Sequence, residues 1–113
     1  MKLKLNYKGF ESYCIDCDAG LDSVQYIFRF ENDYGASVLK GHGTYGYDDD
    51  KWELALLQFR SYNADDYLLA PFQGLLESSP NMLNDSVIGY LSDAEVRKYL
   101  KLIQDMNQGT PDA

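Results

Sequence analysis

Val24-Gln25-Tyr26-Ile27-Phe28-Arg29-Phe30-Glu31-Asn32-Asp33-Tyr34-Gly35-Ala36-Ser37-Val38-Leu39 is the stretch on which the fold turns. Val24, Tyr26, Phe28 and Phe30 fall on one side of an extended chain, while Gln25, Ile27, Arg29 and Glu31 fall on the other. That period of two belongs to a strand with one buried face. Asn32-Asp33-Tyr34-Gly35 supplies turn residues, and Ala36 to Leu39 resumes the extended pattern. The stretch predicts a β-hairpin.

Working outward, Leu3, Leu5 and Tyr7 alternate with Lys2, Lys4, Asn6 and Lys8, which predicts an opening strand over 2–8. Lys8-Gly9 then turns the chain into a second strand over 10–15. Beyond the hairpin, Gly41, Gly43 and Gly46 lead through Asp48-Asp49-Asp50 into a long strand from Trp52 to Tyr62. Leu56, Leu57 and Phe59 break its alternation, which points to a bulge or to burial on both faces. A short strand is expected over 67–70, ended by Pro71, whose nitrogen cannot donate to a ladder. Gly74, Ser78-Ser79-Pro80-Asn81 and Asn84-Asp85-Ser86 punctuate 71–91, which reads as loop and turns, with Pro80 suited to opening one helical turn.

The final element is a helix. Ser92-Asp93-Ala94-Glu95 has the spacing of a capping box, and Leu91 and Val96 are placed as the hydrophobic staple around it. Val96, Leu100 and Ile103 recur at helical spacing, while Arg97, Lys98, Lys101, Gln104 and Asp105 fall outside that stripe. Strands followed by one strong helix give an α+β class: an antiparallel sheet of hairpins with a C-terminal amphipathic helix packed on one face. The expected organisation is a single domain over 1–113, mainly β over 1–70, loop and turns over 71–91, helix over 92–106 and a flexible tail over 107–113.

Charge narrows the function. Ten basic side chains stand against 18 acidic ones, a formal net charge of -8. This argues against direct binding to nucleic acid through phosphate neutralisation, and against attraction to an anionic membrane. No apolar run approaches a membrane span, and the opening Met1 to Lys8 lacks the apolar core of a signal peptide, so a cytoplasmic location is expected.

Motifs for chemistry are sparse. Cys14 and Cys17 form a lone Cys-x2-Cys, two ligands short of a zinc site, and their surroundings read as strand end and turn rather than the helix start of a thioredoxin-type pair. They are expected as reduced thiols, at least one partly buried. Asp16-x-Asp18-x-Gly20-x-Asp22 departs from a calcium loop at Gly20, Leu21 and Ile27. Gly41-His42-Gly43-Thr44-Tyr45-Gly46 is followed by Tyr47 and three aspartates, which would repel phosphate. His42 is the sole histidine, and no serine or cysteine sits in a nucleophile motif. No catalytic residue, cofactor or metal is assigned, and the chain is read as a non-enzyme.

The acidity is concentrated. Residues 48–95 carry ten acids against Lys51 and Arg60, whereas the flanking segments are nearly balanced. Tyr45, Tyr47, Asp48, Asp49, Asp50, Glu53, Asp65, Asp66 and Tyr67 form the candidate partner-binding face: a row of carboxylates among aromatics, suited to the basic groove of another protein. Carboxylates on alternate strand positions recur about every 6.6–6.8 Å.

Tyr34-Gly35-Ala36-Ser37-Val38, Tyr45-Gly46, Trp52-Glu53-Leu54-Ala55, and Asp85-Ser86-Val87-Ile88-Gly89-Tyr90-Leu91-Ser92 with Glu95-Val96 occur in this order. The chain thereby resembles a family of small uncharacterised proteins of tailed phages and prophages of Gram-positive bacteria. The likeness spans 20–104, and over Ala70 to Met82 the chain departs from the family's shorter pattern. The resemblance implies a phage origin and carries over no catalytic residue. With size and charge, it leads to the expectation of a phage accessory protein that binds and modulates a host or phage protein, an anti-CRISPR or DNA-mimic inhibitor among them. A structural or housekeeping phage role is the alternative, with a small hydrolytic enzyme third.

Overall fold

The computed structural model describes residues 3–41, 50–72 and 82–106. A 3-10 turn, Glu11–Tyr13, precedes strands β1 (Cys14–Ala19), β2 (Ser23–Arg29), β3 (Tyr34–Gly41), β4 (Trp52–Phe59), β5 (Tyr67–Leu69), β6 (Met82–Asn84) and β7 (Val87–Leu91). Helix α1 (Asp93–Gln104) follows. The strands form one sheet in the order β1-β2-β3-β4-β7-β6, and every pairing is antiparallel. β3 takes one edge of β4; β5 and β7 divide the other, pairing with Leu57–Phe59 and with Trp52–Ala55 respectively. The architecture is the expected α+β arrangement, with α1 lying against β3, β4 and β7.

The hairpin forms where its alternation places it. Tyr26 stands opposite Val38, and Val38 opposite Leu54; Phe28, Ala36 and Leu56 form the next row. All six are buried on the face that receives Val96, Leu100 and Ile103 of α1. The broken alternation of β4 reflects burial on both faces: Leu56 belongs to the main core, while Leu57 and Phe59 join Ile27 and Tyr67 in a small cluster on the other side. Gly35 is required there. A Cβ on it would overlap the Phe28 carbonyl oxygen and press against the Phe59 ring.

Both ends of α1 are tied to the sheet. The Ser92 hydroxyl accepts from the Glu95 amide at 3.2 Å, and the Glu95 carboxylate accepts from the Ser92 amide at 2.9 Å, completing the predicted capping box. Leu91 and Val96 on either side are both fully buried. At the other end, Asn32 of the β2–β3 turn donates its amide hydrogens to the Ile103, Gln104 and Met106 carbonyls at 2.8, 3.2 and 2.9 Å. Carbonyls at a helix C-terminus lack the usual i+4 partner; that of Ile103 also accepts from the Met106 amide at 3.1 Å.

Several expectations are corrected. Residues 3–8 form no strand, although Leu5 is buried and Leu3 and Tyr7 pack on the core as their alternation indicates. Side chains meet this backbone instead: the Leu5 amide donates to the Tyr26 hydroxyl, the Asn6 amide to Asp93, and Arg97 to the Asn6 carbonyl. The expected strand over 10–15 is mostly the 3-10 turn, closed by the Tyr13 amide donating to the Phe10 carbonyl at 3.0 Å. Cys14 opens β1 and Cys17 lies inside it; Ala19 ends the strand and Gly20 to Asp22 turn the chain, as the surroundings of the pair indicate. β4 stops at Phe59 rather than Tyr62; the Arg60 amide donates to the Asp66 carbonyl at 3.0 Å, beyond which the chain turns back into β5. The segment 71–91, read as loop and turns, contains β6 and β7, with Asp85 and Ser86 as their turn. β7 is short and interrupted by Gly89 and by Tyr90 at a φ of 61°, which hides its period. The proposed helical turn at Pro80 and the tail over 107–113 lie outside the described residues.

Candidate functional site

Tyr45, Tyr47, Asp48 and Asp49 of the predicted acidic face, with His42 of the glycine-rich stretch, lie outside the described residues. The other members occupy opposite ends of β4. Asp50 and Glu53 stand at its start, whereas Asp65, Asp66 and Tyr67 stand beyond its finish, beside Phe59. The seven residue steps from Trp52 to Phe59 cover about 23 Å at strand rise, so these residues make two separate groups.

The first group is built around Trp52, which is fully buried. Lys40, at the end of β3, is 1 % exposed and extends over the Trp52 ring, with Nζ 4.3 Å from its centroid. Burying an ammonium is costly unless it is paired. Here Asp50 Oδ1 accepts from Nζ at 2.8 Å and the Asp50 carbonyl oxygen at 3.1 Å, from a backbone with φ at 56°. On the other side of the indole, Trp52 Nε1 donates to Asp93 Oδ1 at 2.7 Å, and Asp93 Oδ2 accepts from the Asn6 amide at 3.0 Å. Strands, helix start and N-terminal segment therefore meet in one satisfied polar chain. Its chemistry is fastening: Asp50 neutralises a buried lysine, and Trp52 is a core anchor as its place at the head of an apolar strand suggests.

At the other end, Arg60 donates from Nε and Nη2 to Asp66 Oδ1 at 3.0 and 2.8 Å. Those bonds, with one from Ser61, hold the Asp66 carboxyl below its usual range. Arg29 pairs with Asp33 at 3.0 Å and lies over the Phe59 ring, which Tyr67 meets edge-on. Arg29, Asp33, Arg60, Ser61 and Tyr62 line a cleft of about 250 Å³. Each arginine in it already carries an aspartate, so its walls are charge-balanced.

A different set of carboxylates shares one face. Asp18 pairs with Gln25, Gln25 with Leu39, and Leu39 with Glu53; Asp16, Ile27, Ser37 and Ala55 form the adjacent row. These rows lie opposite the helix-bearing face. Lys40 pairs with inward-facing Val24 and points inward, while Asp16, Asp18 and Glu53 point outward; Arg29 of β2 shares the outer face, lying over Phe59 and paired with Asp33. Asp16 and Asp18 are exposed on the terminal strand. Sequence reasoning weighed them only as calcium ligands; the signal for this face was their two-residue spacing.

Cys14 is half-buried, Cys17 is exposed, and both are free thiols. Among the described residues, no group of three His, Cys, Asp or Glu side chains is placed to hold a metal ion, and no helix is long and apolar enough to cross a membrane. Compared with known proteins, the chain matches no family model, no curated protein and no solved structure.

Proposed function

We propose that this chain is a non-catalytic phage accessory protein that acts in the bacterial cytoplasm by binding and modulating another protein, of host or phage, through its acidic outer sheet face. The fitting partner is a protein whose own groove binds nucleic acid, which makes an anti-defence inhibitor the leading role. The observation that carries this reading is the set of outward carboxylates: Asp16, Asp18 and Glu53 face outward, Arg29 on that face is paired with Asp33, and Lys40 is turned inward and paired with Asp50. A row of strand carboxylates repeats about every 6.6–6.8 Å and offers a basic groove regularly placed anions. Exposed charges of this kind act chiefly by steering encounter.

The test is a pull-down with tagged full-length chain from infected cells, followed by association kinetics with the recovered protein. Recovery of one nuclease or polymerase is expected, with association slowed and its salt dependence flattened in the Asp16→Asn, Asp18→Asn double variant. Recovery only with virions, or an association rate at low salt unchanged by the double variant, would overturn the assignment.

A further inference from the structure

The spacing of Cys14 and Cys17 conceals that they share a face of the sheet. Residues three apart on a regular strand face opposite sides of a sheet. In β1, Cys14 pairs with Phe28 and Cys17 with Tyr26, and the register shifts between Cys14 and Asp16. Ile15 is thus an extra residue, a β-bulge that returns Cys17 to the face occupied by Cys14. Their partners Phe28 and Tyr26 are same-face neighbours of β2, about 6.6–6.8 Å apart on a regular strand; a disulfide brings Cβ atoms to roughly 3.5–4.5 Å, so closing one between the two cysteines requires β1 to bend at the bulge. Because β1 is terminal in the sheet and, among the described residues, pairs only with β2, such a bend disturbs no second ladder.

The surroundings of the two thiols differ. Cys17 is exposed, whereas Cys14 is half-buried beneath the N-terminal segment, and its thiol donates to the Asp16 carbonyl at 3.4 Å. Desolvation pushes the Cys14 thiol up, opposed by that backbone contact and reinforced by the nearby Cys17.

We propose that Cys14 and Cys17 are a reversible redox pair, in which a hydroperoxide oxidises exposed Cys17 and Cys14 resolves the product as an intramolecular disulfide. The Cys17 thiolate attacks the peroxide oxygen, forming the S–O bond of a sulfenic acid as the O–O bond breaks; with hydrogen peroxide, the hydroxide released takes up a proton as water. The Cys14 thiolate then attacks the Cys17 sulfur, forming S–S and expelling hydroxide, which leaves with the Cys14 proton as a second water. Two thiols lose two electrons and one peroxide gains them. A thiol donor reverses the reaction by exchange.

Intact-mass measurement and thiol titration of the full chain treated with hydrogen peroxide test the proposal. The wild type should lose two hydrogens as a monomer, lose both titratable thiols together, and recover them on reduction. Cys14→Ser should instead accumulate a Cys17 sulfenic acid trapped by a dimedone probe, and Cys17→Ser should react about tenfold more slowly, as expected for a thiol less exposed to oxidant. Sulfenic or sulfinic acid building up on the wild type as fast as on Cys14→Ser, or disulfides only between molecules, would overturn it. The wild-type mass and thiol count decide the matter even where a variant fails to fold.

Discussion

Replacing Asp93 by Ala tests whether the Trp52 network holds the fold together. Its carboxylate accepts from the Trp52 indole at 2.7 Å and from the Asn6 amide at 3.0 Å, and it stands at the first position of α1. Removing it leaves the N–H of a fully buried tryptophan without its acceptor, at a cost of about 1–3 kcal/mol. The more exposed bond to Asn6 adds about 0.5–1.5 kcal/mol, and loss of an acid from the first helical turn about 0.3–1 kcal/mol. Allowing for overlap, the expected loss is about 2–4 kcal/mol, a large share of the roughly 5–15 kcal/mol that stabilises a typical domain. Asp93→Asn retains a carbonyl oxygen for the indole and should cost under about 1.5 kcal/mol. Trp52 is the sole tryptophan, so its fluorescence in urea melts reports on the site itself. A loss below about 0.5 kcal/mol for Asp93→Ala, within ordinary surface variation, would refute the reasoning; so would equal losses for Ala and Asn.

Leu100 is fully buried between α1 and the sheet, and Leu100→Ala should cost about 2–5 kcal/mol in denaturant melts. For Asp66, whose carboxyl is held low chiefly by Arg60 and then by Ser61, the linkage sign is fixed: its contribution to stability is present above the ordinary carboxylate range and is lost as pH falls through the lowered folded value. Carboxyl NMR titration should place Asp66 below the ordinary aspartate value, and Arg60→Ala should return it toward that value.

The predicted acidic face shows where one-dimensional reading stops. Asp50, Asp65 and Asp66 cluster in composition, but β4 separates Asp50 from the other two, and Asp50 and Asp66 have local cationic partners. Which carboxylates share a face depends on strand register, and a segment's net charge contains no register. Asp16 and Asp18 pass as part of a failed calcium motif until β1 is placed at the sheet's edge. Asn32 similarly reads as a turn residue and serves also to cap a helix 71 residues away.

What the sequence by itself determines is what a few consecutive residues can enforce. The β2–β3 hairpin follows from period-two burial and turn chemistry, and α1 follows from its capping box and apolar stripe, because both signals act within a handful of residues. The alternation of Leu3, Leu5 and Tyr7 correctly identifies a buried side, yet burial alone does not supply a ladder partner; Tyr26, Asp93 and Arg97 satisfy that backbone instead. Tertiary structure alone decides that β7 joins β4 beside β5, that Lys40 is buried over Trp52, and that a bulge aligns Cys14 with Cys17. Each depends on which strand lies alongside and in what register, a choice set by the packing of the whole sheet rather than by any local preference.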